Sequence, residues 1–469
     1  MNNLRGYINM NSQSLNSFTN DLFNRKIIAE NLIKIIESQD KPMVISLDSD
    51  WGTGKTTFVT MWKNLLDNDV NYSSKFNTLY FNAWEHDYIK DPLLAIFSEI
   101  ESQIKESDSK LKQQLDNVKN KIKPFTKLAT TTGIKMLTAG ALNLDNVNFG
   151  DYNESQLIDL AGKLGDLAIK EISASKKVRS ELKKEMVEYQ NATEKKIIFF
   201  IDELDRCRPS FAIELLEVIK HLFDIDNFVF VISIDKEQLS HSVSTIYGHN
   251  MDTVGYLRRF FDLDYKLPKV DIKKYIDIKS STAFDGYYNV DCLKVFIKEL
   301  FASEKFSLRD IEKAFYYIEL LLPLIKPFNN NTTYKNTYIA VISYLYATLI
   351  TTKIKKPIVY KKIIYADYNL DNMLINFKTP DFSNYGDYIG EWHHEPLQRL
   401  INPLLEMYLD LNLKVSSIEN IYNFSSEDFM IGLKNEDGSF IYDSKFDLLN
   451  LFKGKDYTIH DKLEFIEGF

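Results

Sequence analysis

Met43-Val44-Ile45-Ser46-Leu47-Asp48-Ser49-Asp50-Trp51-Gly52-Thr53-Gly54-Lys55-Thr56 is the stretch that decides how this chain is read. An apolar, β-branched run passes into a loop with two glycines, and the loop passes into Lys55-Thr56 and a helical pattern. Strand, loop and helix in that order make a phosphate cradle: successive backbone N–H groups form an anion-binding nest, and the positive end of the following helix reinforces it. Gly52 and Gly54 let the backbone close on phosphate oxygens, Lys55 reaches the β- and γ-phosphates, and the Thr56 hydroxyl is a Mg²⁺ ligand. Ser49, Asp50, Trp51, Thr53 and Thr57 complete the set of loop residues placed against the nucleotide. The loop departs from G-x-x-x-x-G-K-[ST] at its first position, where Ser49 stands in place of glycine and a modest strain cost is expected.

A second run, Lys196-Ile197-Ile198-Phe199-Phe200-Ile201-Asp202-Glu203-Leu204-Asp205-Arg206, ends on carboxylates. Asp202 closes the strand facing the same crevice, where it can hold Mg²⁺ directly or through water. Glu203 follows and can polarise an attacking water as general base. An acidic pair at a strand end would by itself serve equally well to cap the next helix or to pair with Arg206 or Arg208. The phosphate loop upstream turns the reading toward nucleotide hydrolysis.

Five apolar runs, at 43–48, 78–82, 197–202, 228–234 and 262–267, are continuous enough to be strands buried on both faces. Helical stretches at 55–66, 92–105 and 210–224 alternate with them, the pattern of an α/β sandwich whose ligand sits at the carboxyl ends of the strands. Ahead of the first strand, residues 17–38 form an amphipathic helix with Ile27, Ile28, Leu32, Ile35 and Ile36 on its apolar face. Thr56 and Asp202 stand 146 positions apart. Two βα units of about 30 residues need far less, so an insertion of roughly 80 residues is expected. It falls at about 105–195, as a helical hairpin packed on the core or a partner-binding arm. The expected organisation is a nucleotide-binding core over 1–270, a helical region over 271–355 with helices near 291–301, 307–327 and 334–352, and a C-terminal accessory domain over 356–469 to which no chemistry is assigned. His393-His394, without partner ligands in view, is read as a surface pair.

At 469 residues, with 45% hydrophobic and 26% charged residues, the chain reads as globular with room for two to three domains. Its formal net charge of −9 gives no global basic field, which disfavours direct nucleic-acid binding and a nucleic-acid motor. Two cysteines, Cys207 and Cys292, cannot build a disulfide framework and lack metal-site spacing, so a reducing cytoplasm is the expected location. The first residues, Met1 to Tyr7, carry no apolar signal region. The longest apolar candidate, Thr130 to Leu144, is broken by Lys135 and threonines and falls short of the roughly 20 residues a span needs. No transmembrane helix is expected.

The tract Asp48 to Thr56 with its tryptophan resembles the P-loop of KAP-family P-loop NTPases. The likeness extends to Phe81-Asn82-Ala83-Trp84, to Ile201-Asp202-Glu203-Leu204-Asp205-Arg206-Cys207, to Val231-Ile232-Ser233-Ile234-Asp235 and to Tyr256-Leu257-Arg258-Arg259-Phe260, and covers about 17–320. The resemblance implies an additional-strand P-loop NTPase fold, α/β, related to AAA+ and STAND ATPases: a parallel sheet sandwiched by helices, with 271–355 as a helical lid. It implies Mg²⁺ and ATP as ligands, though the sequence does not separate ATP from GTP. It further implies a γ-phosphate sensor at Ser233 or Asp235, and an arginine acting on a neighbouring subunit's site, Arg259 with Arg258 as second choice. Arg309 stands where related lids carry a sensing arginine, and Asp21-Leu22-Phe23-Asn24-Arg25 is similar to the family's adenine-side motif, so Phe23 and Arg25 join the nucleotide-binding set; a simple core role for Phe23 stands beside that. Trp51 and Trp84 are expected to pack into the core. Members often carry transmembrane helices in the insertion; this chain resembles a soluble branch found in bacterial defence against phage, working as a homo-oligomer with an effector protein encoded nearby. The implied activity is an ATPase that assembles or remodels a partner complex, or alternatively an ATP-bound switch or scaffold with little turnover.

Overall fold

The structure is a computed structural model that describes residues 17–103, 195–329 and 336–377, apart from 90, 91 and 223, with scattered positions at 183–191 and 405–409. The expected insertion, the stretch 130–144, the histidine pair and most of 378–469 lie outside the described residues. The chain divides into two compact units, Met1–Pro268 and Lys269–Phe469.

The first unit is built on strands β1 (Met43–Asp48), β2 (Phe76–Asn82), β3 (Lys196–Asp202), β4 (Phe228–Ile234) and β5 (Leu263–Lys266). All pairings are parallel and the order is β2-β3-β4-β1-β5. β4 therefore lies between the loop-bearing strand β1 and the acidic strand β3, which is the additional strand of the expected fold. The runs of β1, β3 and β4 are continuous because both faces are covered, whereas β5, expected to be buried on both faces, is an edge strand with Asp264 and Lys266 exposed and Leu263 and Tyr265 half-buried. Ile45, Leu47, Ile198, Phe200, Val229 and Val231 point to one side, where α1 (Lys26–Glu37) and α2 (Lys55–Asn68) bury Leu32, Ile33, Phe58 and Trp62. The alternate residues Val44, Ile197, Phe199, Ile201, Phe228 and Phe230 meet α3 (Pro92–Gln103), α4 (Pro209–Leu222) and α5 (Lys236–Tyr247) on the other. On α1 the buried stripe is Ala29, Leu32, Ile33 and Ile36; Ile27 and Ile35, read as part of the apolar face, are 62% and 40% exposed. The 3.6-residue period places them off the stripe that the other four occupy.

Register levels the carboxyl ends of the strands: Asp48 pairs with Ile234, and Asn82 with Asp202. Asp48, Asp202 and Ser233 are thereby brought to one edge of the sheet. A broad polar concavity lined by Glu37, Lys75, Lys196 and Asn227 lies at the amino ends, away from that edge.

The second unit is helical: α6 (Ile272–Ala283), α7 (Asp291–Ser303), α8 (Leu308–Leu321), α9 (Asn336–Lys355), α10 (Pro357–Ile364) and α11 (Leu370–Leu374). Its apolar cluster joins Phe296, Phe301, Phe315, Tyr344 and Leu345 with Tyr360, Ile363 and Met373, so one core continues past residue 355. Asp271 and Ser307 start their helices by accepting from the N–H groups of Lys274 and Asp310, the second as a reciprocal capping box. No described helix is long and apolar enough to cross a membrane.

Candidate active site

The loop after β1 is shaped by two left-handed glycines, Gly52 at φ 77° and Gly54 at φ 85°, and Gly54 is the N-cap of α2. That region is open to glycine without steric penalty. Ser49 has no positive φ, so the expected strain at this position is absent. It is buried; its N–H donates to Ile234 O at 3.1 Å and its hydroxyl shares a hydrogen bond with Thr53 Oγ1, contacts a glycine could only half supply. Thr53 Oγ1 also donates to Asp50 O at 2.8 Å.

Lys55 is buried at the start of α2, and its ammonium donates to the carbonyls of Ser49 and Asp50. Burial pulls its pKa down, against the opposing charges of Asp205, Asp235, Asp202 and Asp48. These four carboxylates come from the ends of three strands, so the sheet gathers them around one cation. Thr56 and Thr57 are exposed on the first turn of α2.

Asp202 is buried at the end of β3; Tyr80 Oη donates to its Oδ2 at 3.3 Å and Glu203 N to its Oδ1 at 2.9 Å. Beside that carboxylate, burial first and Asp202's charge second raise the Tyr80 phenol far above its ordinary range. Glu203 adopts the left-handed conformation, φ 59° and ψ 26°, which a non-glycine residue holds only when its surroundings enforce it. Its carboxylate is engaged: Arg206 Nη1 lies 2.8 Å from Oε1, and Asn82 Nδ2 donates to Oε2 at 3.4 Å. The Arg206 guanidinium lies over the Trp84 ring, 5.5 Å from its centroid.

Ser233, fully buried at the end of β4, has a hydroxyl with no hydrogen-bond partner among the described residues, an uncommon condition for a buried polar atom. It lies on the face of β4 that Val229 and Val231 share with α2. Asp235 is the N-cap of α5, accepting from Gln238 N at 3.1 Å. The two sensor candidates thus differ: Asp235 is committed to a helix start and Ser233 is not.

Arg25 is buried, and its guanidinium donates to Thr53 O at 3.0 Å and to Gly54 O at 3.2 Å. Desolvation lowers its pKa against the charge of Asp21. Arg25 therefore braces the phosphate loop. Phe23 is half-buried beneath it, 5.4 Å from the guanidinium carbon.

The expected core role of Trp51 and Trp84 does not hold, since the indoles are 44% and 52% exposed. They sit at a loop tip and on a one-turn helix, Ala83–His86, at the rim of the sheet and outside its helix layers. Trp51 Nε1 donates to Asp205 Oδ2 instead. Asp205 is a residue that sequence reasoning passed over: it is 6% exposed, and burial raises its pKa against that hydrogen bond and the charge of Lys55. The signal was its place in Asp202-Glu203-Leu204-Asp205, but spacing cannot tell which of three carboxylates turns toward Lys55. Arg258 and Arg259 are exposed just before β5. Arg309 is exposed on the first turn of α8 in the second unit.

The donor set suits a magnesium nucleotide. Thr56 and Asp202 offer hard oxygens, and Mg²⁺ characteristically takes one or two protein oxygens and fills its shell with phosphate oxygens and water. No group of three or more His, Cys, Asp or Glu set to hold a metal occurs among the described residues.

A parallel sheet with β4 between β1 and β3, a glycine-shaped anion loop on β1 and a buried carboxylate ending β3 define a P-loop NTPase. The family model described as KAP family P-loop domain matches residues 25–312, and the chain belongs to the KAP family. It is 22% identical over 259 residues to the Phage T7 exclusion protein of Escherichia coli (strain K12), a match covering 52% of this chain and 32% of that protein. The chain thus spans about a third of that relative's length. Among solved structures it is similar to the Aeropyrum pernix ORC2 protein in ADPNP–ADP complexes, at 11% identity and a TM-score of 0.36, covering 84% of this chain and 94% of that one.

Proposed function

We propose that this chain is a Mg²⁺-dependent ATPase that couples ATP binding and hydrolysis to the assembly or remodelling of a partner complex, and that it acts in the bacterial cytoplasm in defence against phage. The observation carrying this reading is the convergence of Lys55 with Asp202, Asp205 and Asp235 beside the left-handed Gly52 and Gly54. Loop N–H groups and the amino end of α2 would bind the β- and γ-phosphates. Lys55 would exchange the carbonyls of Ser49 and Asp50 for phosphate oxygens, a short movement of a flexible side chain. Thr56 and Asp202 would hold Mg²⁺, which when bound neutralises charge on the β- and γ-phosphates. Glu203 would orient the attacking water as general base once released from Arg206. The buried Ser233 hydroxyl, a donor with no acceptor among the described residues, supports it as the γ-phosphate sensor. The exposure of Arg259 suits an arginine offered to a neighbouring copy in a homo-oligomer, and Arg309 would report from the helical unit. The phage connection comes from the name of the matched relative, and the partner would be an effector protein encoded nearby.

The test is phosphate release by the purified chain with ATP and Mg²⁺, with GTP as competitor. Lys55→Ala and Glu203→Gln each abolish turnover; unchanged release in both variants overturns the reading. A switch or scaffold with little turnover is favoured by one observation, the engagement of the Glu203 carboxylate by Arg206 and Asn82. It requires that a non-hydrolysable ATP analogue support assembly as fully as ATP, and that Glu203→Gln keep biological activity.

A further inference from the structure

β1 and β3 do not pair with each other, because β4 runs between them. The phosphate loop and the turn carrying Glu203 therefore share no ladder hydrogen bond, although hydrolysis needs Lys55 and Glu203 in a fixed relation to one phosphoryl group. A side-chain link crosses the gap. Asp205 lies in the 3-10 turn Leu204–Arg206, directly after Glu203, and accepts a hydrogen bond from Trp51 Nε1 at the tip of the loop. The donor and acceptor are 154 positions apart. Asp205 is buried while the Trp51 indole is nearly half exposed, so this bond and not core packing orients the ring. The residue that caps this turn, Glu203, is held in a left-handed conformation, so a change in the turn's position is passed to the Glu203 backbone and its carboxylate.

We propose that Asp205 is a positioning residue for phosphoryl transfer: through Trp51 it clamps the phosphate loop to the Glu203 turn and fixes the distance between Lys55 and Glu203. The clamp rests on the ATPase reading above for its consequence, but not for its existence. Its carboxylate also faces Lys55, so a charge effect on the lysine is the competing explanation and the variants must separate the two.

Asp205→Ala, Asp205→Asn, Trp51→Phe and the double variant Asp205→Ala/Trp51→Phe are made in the full chain. Phosphate release is measured across ATP concentration. The clamp requires that Asp205→Ala and Trp51→Phe each lower kcat about tenfold or more with KM within about threefold. It also requires that the double variant be no worse than the poorer single one, since both remove one interaction. Asp205→Asn, which keeps an acceptor oxygen and loses the charge, recovers most of the rate. Multiplying effects in the double variant, a Trp51→Phe enzyme like the wild type, or an Asp205→Asn enzyme as poor as Asp205→Ala each overturn the clamp. Trp51→Phe alters an exposed ring and keeps the test open if Asp205→Ala fails to fold. If the wild type releases no phosphate, the ATPase reading fails. The clamp is then judged on Trp51 emission in the nucleotide-free protein, taken as wild type minus Trp51→Phe. Asp205→Ala minus the double variant gives the same signal without the acceptor: a shift from the wild-type spectrum upholds the clamp, and an unchanged spectrum overturns it.

Discussion

Replacing Arg25 with alanine tests whether the phosphate loop holds its shape by itself. The guanidinium donates to Thr53 O at 3.0 Å and Gly54 O at 3.2 Å, the two carbonyls flanking the tightest part of the loop. A hydrogen bond with a charged donor contributes about 1.5–3 kcal/mol net. Two of them set an upper range near 3–6 kcal/mol, and the desolvation that lowers the Arg25 pKa takes back part of it. A net loss of about 2–3 kcal/mol is expected. Because the loop is local and its strand and helix are anchored in the core, most of the loss falls on loop order and not on global unfolding. Nucleotide affinity should therefore weaken roughly 30- to 150-fold, at 1.4 kcal/mol for each factor of ten. Isothermal titration with ATP and Mg²⁺ reads the affinity, and thermal melting of the nucleotide-free protein reads the fold. Arg25→Lys should recover little, because one ammonium cannot span two carbonyls in the forked geometry of arginine. Affinity within about threefold of the wild type in Arg25→Ala, with an unchanged melt, refutes the bracing argument.

Trp62, fully buried with its ring 5.3 Å from Phe200 and 5.8 Å from Phe58, fills the face of the sheet under α2. Trp62→Ala should cost about 3–5 kcal/mol and lower Tm by roughly 10 °C; a drop below about 3 °C speaks against a shared core there. In the helical unit, burial works to raise the Asp310 pKa, but hydrogen bonds from Ser307 N at 2.9 Å and Lys355 Nζ at 3.1 Å hold it below the usual carboxylate range. With the folded value below the unfolded one, near 3.9, the stabilisation is present above about pH 4 and fades as pH falls through the folded value. Asp310→Asn should flatten that acid limb in urea melts taken from about pH 2 to 5, and an unchanged limb rejects the assignment. Burial, with Asp87 second, pushes the Cys207 thiol far above its ordinary range. It should resist alkylation at pH 8 until the protein is denatured, which mass spectrometry reads directly; modification of the native chain would falsify its burial.

The elements were legible where their signals are local. Strands at 43–48 and 228–234 end where their apolar runs end, and helices over 55–68 and 291–303 follow their periodicity. The helix over 272–283 is not among the helices expected from the sequence, although Ile272, Tyr275 and Ile276 stand at helical spacing; its start depends on an Asp271 cap. Trp51 and Trp84 were misread as core residues. Large indoles usually pack inward, yet these two stay 44% and 52% exposed at the rim of the sheet, and composition holds no record of which edge a residue reaches. Ser49 was expected to strain a turn that prefers glycine, whereas its backbone needs no positive φ and its hydroxyl is used.

The phosphate cradle was determined by sequence alone, because everything it needs is contiguous: an apolar strand, two glycines that reach left-handed φ, and a lysine opening a helix. Which groups meet in that cradle was decided only by the tertiary structure. Sheet order brings Asp202, Asp205 and Asp235 around Lys55 across more than a hundred intervening residues and leaves the Ser233 hydroxyl buried without a partner among the described residues, and packing of the helix before β1 turns Arg25 under the loop. Coulombic and hydrogen-bond energies depend on distance and burial, and neither is encoded in separation along the chain.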